Sequence, residues 1–202
     1  MIAGEDAALT GADQTRVRIL AATREIYAAK GSRGTTTREV ADRAGVNEAT
    51  LFRHFGTKQQ LLSDMLDHYS AVAALPQMLE RVRTAGGTID SQLRELALGC
   101  IESMKRREDL IRVTMAEELS NPQATTCAWQ APTIARLALG QFFEEKVASD
   151  ELQGDGQWLA RMFMSLVFAF VMARKIWGDV ELPPERSVER IVDVFMNGAR
   201  AR

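Results

Sequence analysis

The sequence predicts an all-α protein with a small N-terminal helix-turn-helix head and a larger C-terminal helical body. Three observations predict it. Apolar residues recur at spacings of three and four along most of the chain, and the period-two alternation of β-branched residues that marks strands is missing. Short breaks punctuate the periodic stretches at Gly86-Gly87, Asn121-Pro122, Gly154-Asp155-Gly156 and Gly178 through Pro183-Pro184. Charge is also divided unevenly. Residues 14–60 carry nine Lys and Arg against four acids, a net of +5, which leaves −7 for the rest of a chain whose formal charge is −2. A basic segment on an acidic remainder is the pattern of a nucleic-acid-binding head on a non-binding body.

Composition excludes the other broad classes. At 202 residues the chain is long enough to bury a core without staples, and five Pro and 14 Gly are too few for a disordered or collagen-like protein. Cys100 and Cys127 form no C-x-x-C pair and are expected to be two buried thiols in a reducing cytosol. The start, MIAGEDAALTGA, has two acids and no cation, so it lacks the charged opening of a secretory signal. The most apolar stretch runs from Met162 to Ala173 between two Arg. Twelve helical residues rise roughly 18 Å against a hydrocarbon core of about 30 Å, which predicts a core or interface helix and no membrane partner.

Taken in order, residues 1–12 are expected to be a disordered tail. A first helix should begin near Asp13 and end at Lys30-Gly31, where glycine supplies a left-handed terminus. Thr36 followed by Glu39 reads as a capping box, the hydroxyl taking the amide of Glu39 and the carboxylate reaching back to that of Thr36. A helix therefore starts at Thr37, presents Val40, Ala41 and Ala44 on one face, and stops at Gly45. Asn47 caps a third helix, with Val46 and Leu51 as its hydrophobic staple and Phe55 near its end. The small Ala41 and Ala44 let the two axes approach, and Ile19, Ala22 and Ile26 of the first helix are the expected partners of this corner. Longer helices should follow at Gln59 to about Arg83, Ile89 to Arg106, Asp109 to Leu119, Pro122 to Val147, Gln157 to Trp177, and from Pro184 onward. The head is thus residues 13–60 and the body 61–202.

The outward residues of the head carry the chemistry. Glu48, Ala49, Phe52 and Arg53 are left facing away from the core on the third helix, in the N-terminal region where a recognition helix reads base edges. Thr36, Thr37 and Thr50 offer hydroxyl donors to phosphate, and Arg53, His54 and Lys58 would add backbone contacts. Thr36 has a cap to form; for Thr37 and Thr50 no structural duty is apparent. Arg38 can fork onto guanine O6 and N7. Glu48 either complements the helix dipole or accepts from a cytosine amine. Arg43 is expected to be merely solvated.

From Thr15 to about Leu66 the chain resembles the DNA-binding head of the tetracycline-repressor (TetR) family. The likeness is carried by R-I-L-x-A-A, Gly31, Thr36-Thr37, A-x-x-A-G-V at Ala41 to Val46, T-L-F-x-H-F at Thr50 to Phe55, and K-x-x-L-L at Lys58 to Leu62. The resemblance implies a homodimeric transcriptional regulator, a repressor, that binds a double-stranded, palindromic DNA operator and is released by a small hydrophobic or amphipathic inducer. It implies phosphate contacts at Thr37, Thr50, Phe52, His54 and Lys58, and base reading at Arg38, Glu48 and Ala49. Where many relatives have a tyrosine, this chain has Phe52, which lacks the hydroxyl and can only pack on sugar or a thymine methyl.

In the body, Met104 and Trp129 are the candidate ligand-binding residues, chosen from the middle helices for soft, adaptable packing. The last two helices are apolar on broad faces, which predicts a C2 four-helix dimer interface through Phe163, Leu166, Val167, Phe170, Val188, Ile191, Val192 and Phe195. No cofactor or metal is expected. An enzyme is disfavoured because H-E-x-x-H, G-x-S-x-G and G-x-x-x-x-G-K are all missing, and Glu117-Glu118 and Glu144-Glu145 are adjacent pairs that point apart on a helix. The alternative is a helical binding or adaptor protein whose head does not bind DNA; Thr37, Thr50, His54 and Lys58 argue against it.

Overall fold

Local capping decides where the helices of the computed structural model begin. The structure describes residues 11–120, 130–173 and 183–199, and these form ten helices. The first four are α1 (Gly11–Gly34), α2 (Thr37–Ala44), α3 (Glu48–Phe55) and α4 (Lys58–His68). Side-chain oxygens of Thr36, Asn47 and Thr57 accept the amides of Glu39, Thr50 and Gln60 at 3.2, 2.7 and 3.0 Å, so three successive helices start on a polar cap. The remaining helices are α5 (Leu75–Ala85), α6 (Ile89–Arg106), α7 (Glu108–Ser120), α8 (Gln130–Ala148), α9 (Gly156–Met172) and α10 (Pro184–Ala199). None among the described residues is long and apolar enough to cross a membrane.

Most expected boundaries hold and one does not. Gly31 leaves helical geometry at φ 67° and ψ −173°, ending the regular helix where glycine was expected to end it, and a short helical turn joined across that kink carries α1 to Gly34. The single helix expected from Gln59 to Arg83 is two. Pro76 has no N–H to give the carbonyl of Val72, which is taken instead by the amide of Leu75 at 3.0 Å, so a turn over 69–74 separates α4 from α5. Pro132 falls in the first turn of α8, where its missing donor costs no helical bond. Cys127 and Trp129 lie outside the described residues.

Contacts divide the chain into two compact units. One comprises residues 11–69 with 112–120, and the other residues 70–111 with 130–173 and 183–199; the division falls inside α7. In the first, Ile19, Ala22, Ile26, Val40, Ala41, Ala44, Leu51 and Phe55 are all buried, as the amphipathic spacing required.

In the second unit the core centres on aromatic rings. Phe143 of α8, Phe163 of α9 and Phe195 of α10 meet pairwise with centroids 5.4–5.8 Å apart in tilted or edge-on geometry. α8 and α9 approach closely at Gly156, where a Cβ would lie 2.6 Å from the backbone nitrogen of Glu144. Cys100 of α6 is buried in this core, and desolvation pushes its thiol up to about 12, an unreactive form.

This packing corrects the expected interface. Phe163, Val167, Val188, Val192 and Phe195 are each at most 6% exposed inside their own subunit, so they pack first into that subunit's own core. Leu166 is exposed, and Phe170 and Ile191 are half-buried. Met104 likewise lies in the core, 3% exposed. Phe163→Ala should cost about 3–5 kcal/mol of stability in urea unfolding, with a loss that does not depend on protein concentration. A loss that grew on dilution would return Phe163 to a subunit interface.

Candidate nucleic-acid interface

The candidate interface is built from the starts of α2 and α3 and the tight turn between them. Gly45 adopts φ 67°, ψ 41°, and the amides of Gly45 and Val46 return to the carbonyls of Asp42 and Ala41 at 3.2 and 3.0 Å. With Leu51 and Phe55 turned inward, Ala49, Phe52 and Arg53 are exposed on α3, and Arg38 is exposed on α2. Thr36 is exposed at the cap, while Thr37, Glu48, Thr50, His54 and Lys58 are half-buried. Lys58 is the first residue of α4.

Ion pairing sorts the cations of this unit. Arg16 is held by Asp64 and lies 4.5 Å over the ring of Phe55, with a further bond to the carbonyl of His54. Lys30 bonds both oxygens of Glu39, and Arg43 pairs with Glu25 at 3.0 Å. Arg43 is therefore a paired surface residue rather than a merely solvated one. Arg38, Arg53 and Lys58 have no ion-pair partner among the described residues, and nor have Arg18 and Arg33. Those last two were missed because an unpaired arginine on a first helix carries no local signature; only the pairing pattern separates them from Arg16 and Lys30.

Two side chains behave differently from expectation. Glu39 does not close the capping box, because the ammonium of Lys30 offers it two charge-assisted bonds at 2.7 and 2.9 Å in place of one neutral amide. Thr37 does have a structural duty: its hydroxyl donates to Glu48 Oε1 at 2.6 Å, joining the first residue of α2 to the first of α3. The one hydroxyl hydrogen of Thr37 is thereby used, whereas the cap engages only the oxygen of Thr36 and leaves its hydroxyl hydrogen free to donate.

The arrangement leaves unpaired cations, helix-start amides and hydroxyls around a buried corner, groups of the type that bind phosphate, together with an exposed Arg38, Ala49 and Phe52. Among the described residues no three His, Cys, Asp or Glu side chains come together as a metal site.

Comparison with known proteins agrees in both parts of the chain. Residues 19–65 match the family described as bacterial regulatory proteins, tetR family, and residues 91–197 match the C-terminal domain of AefR-like transcriptional repressors. The helix-turn-helix transcriptional regulator YvkB of Bacillus subtilis is 28% identical over 190 residues, covering 93% of this chain and 98% of that protein. A transcriptional repressor of Mycobacterium tuberculosis is 42% identical over 59 residues, 29% of this chain and 31% of its own. Among solved structures, a TetR-family regulator from Mesorhizobium loti superposes with a TM-score of 0.74 at 20% identity, covering 95% of this chain and all of that one. The helix-turn-helix built on Gly45 and the family match over more than half of the chain make this protein a TetR-family DNA-binding transcriptional regulator.

Proposed function

We propose that the chain works as a homodimeric repressor whose two α3 helices enter successive major grooves of a palindromic operator. The observation that carries this is the set of unpaired cations, Arg38, Arg53 and Lys58, beside the exposed Phe52, while Arg16, Lys30 and Arg43 are neutralised within the fold. Arg38 and Ala49 read base edges. Lys58, Thr36, Thr50, Arg53 and His54 hold the backbone, Thr37 contributes its amide, and Glu48 orients Thr37. Phe52, 42% exposed, packs against sugar or a thymine methyl. A small hydrophobic or amphipathic molecule bound in the body releases the operator by favouring a state whose half-site spacing departs from about 34–36 Å.

The dimer face follows from what the subunit core leaves uncovered. Trp158, Leu166 and Ala169 are exposed and Met162 and Phe170 half-buried along α9, with Ile191 half-buried and Val194 exposed on α10. An apolar stripe of this kind at helical spacing suits a second copy related by a twofold axis.

Selection of bound duplexes from a random pool by the full chain should enrich a palindrome; failure to enrich one would favour the adaptor alternative. On the selected duplex, Arg38→Ala should cost about 1–3 kcal/mol and relax one base preference. Equal weakening on all sequences would make Arg38 a phosphate contact. Lys58→Ala should weaken binding uniformly and reduce the salt slope by about one, and an unchanged slope would remove Lys58 from the interface. Leu166→Glu should convert a sedimenting dimer to folded monomer, whereas an unaltered dimer would exclude the α9 stripe.

A further inference from the structure

The chemistry at the kink of α1 is not accounted for by DNA contacts alone. At Gly31 the backbone turns to φ 67°, which withdraws the amide of Ser32 from the helical ladder. That amide donates to Oε1 of Glu117 on α7. The other oxygen, Oε2, accepts the hydroxyl of Tyr27 at 2.6 Å. Tyr27 is 1% exposed, Thr114 bonds the same phenol, and burial followed by the Glu117 carboxylate keeps that phenol protonated well above its ordinary range. A Cβ at residue 31 would meet Glu117 Oε1 at 2.5 Å, so this approach needs glycine as well as its left-handed backbone.

The kink leads straight to the DNA-facing surface. The carbonyl of Gly31 accepts both the amide of Thr35 at 3.1 Å and its hydroxyl at 2.7 Å; Thr35 is buried, and Thr36 then caps α2. Residues 31–36 are thus gripped by Glu117 at one end and committed to the start of α2 at the other. We propose that Glu117 is a positioning residue for operator recognition, acting through Tyr27 and Ser32 to set where α2 begins. This rests on the palindromic-operator reading proposed above.

The test uses the full chain, its selected duplex and a scrambled duplex of the same length. Glu117→Ala should bind the selected duplex about tenfold more weakly, and the scrambled one within about threefold of the parent. Hydrogen exchange at Ser32 should quicken. Glu117→Gln, which retains an acceptor for Ser32 and a donor for the Tyr27 oxygen, should restore binding to within about threefold. Tyr27→Phe, which keeps the Ser32 bond, should fall between the two and serves if Glu117→Ala does not fold. Parental affinity in both Glu117→Ala and Tyr27→Phe, equal loss on both duplexes, unchanged Ser32 exchange, or Glu117→Gln as weak as Glu117→Ala would each overturn the role of Glu117 alone. A parent chain that selects no duplex would overturn the palindromic-operator reading and this role with it.

Discussion

Helices of eight residues do not hold themselves together in water, because nucleation costs more than so few hydrogen bonds return. Both α2 and α3 are of this length, and everything the DNA-facing surface does depends on the burial that holds them. Val40, Ala41 and Ala44 on one helix and Leu51 and Phe55 on the other are buried in one corner, and Gly45 turns the chain between them. Once that corner is closed, the outward residues have fixed directions. Arg38, Ala49, Phe52 and Arg53 are exposed because the opposite sides of their helices are consumed.

Electrostatics then separates structural charge from working charge. Arg16, Lys30 and Arg43 are each answered by an acid of the same unit, which spares the fold some self-repulsion in its most basic segment. The cations left over include the three already singled out from their place around the third helix, Arg38, Arg53 and Lys58. Glu48 shows the same division among acids. Its carboxylate is tied to Thr37 and ties the two helix starts together, so its first task is to orient.

The body follows a different rule. Its three clustered phenylalanines hold α8, α9 and α10 to one another, so the broadly apolar character of the last helices is used first within the subunit. The apolar surface left uncovered on α9 is narrower and includes Trp158 and Leu166.

The helix-turn-helix was almost wholly legible in the sequence, and the reason is local. Caps at Thr36 and Asn47 and the left-handed turn at Gly45 act within three or four residues, so residue type and spacing suffice to determine them. The break between α4 and α5 was less legible, since a proline permits a helix start as readily as it forbids a helix interior. Tertiary structure decided what depends on residues far apart in the chain: that Glu39 turns to Lys30, that Thr37 spends its hydrogen on Glu48, and that Glu117 reaches Tyr27 and Ser32 from 85 or more positions away. It also decided which side of α9 is core. A helix apolar nearly all round carries no periodic mark of its buried side, and only the packing of Phe143 and Phe195 against Phe163 supplies one.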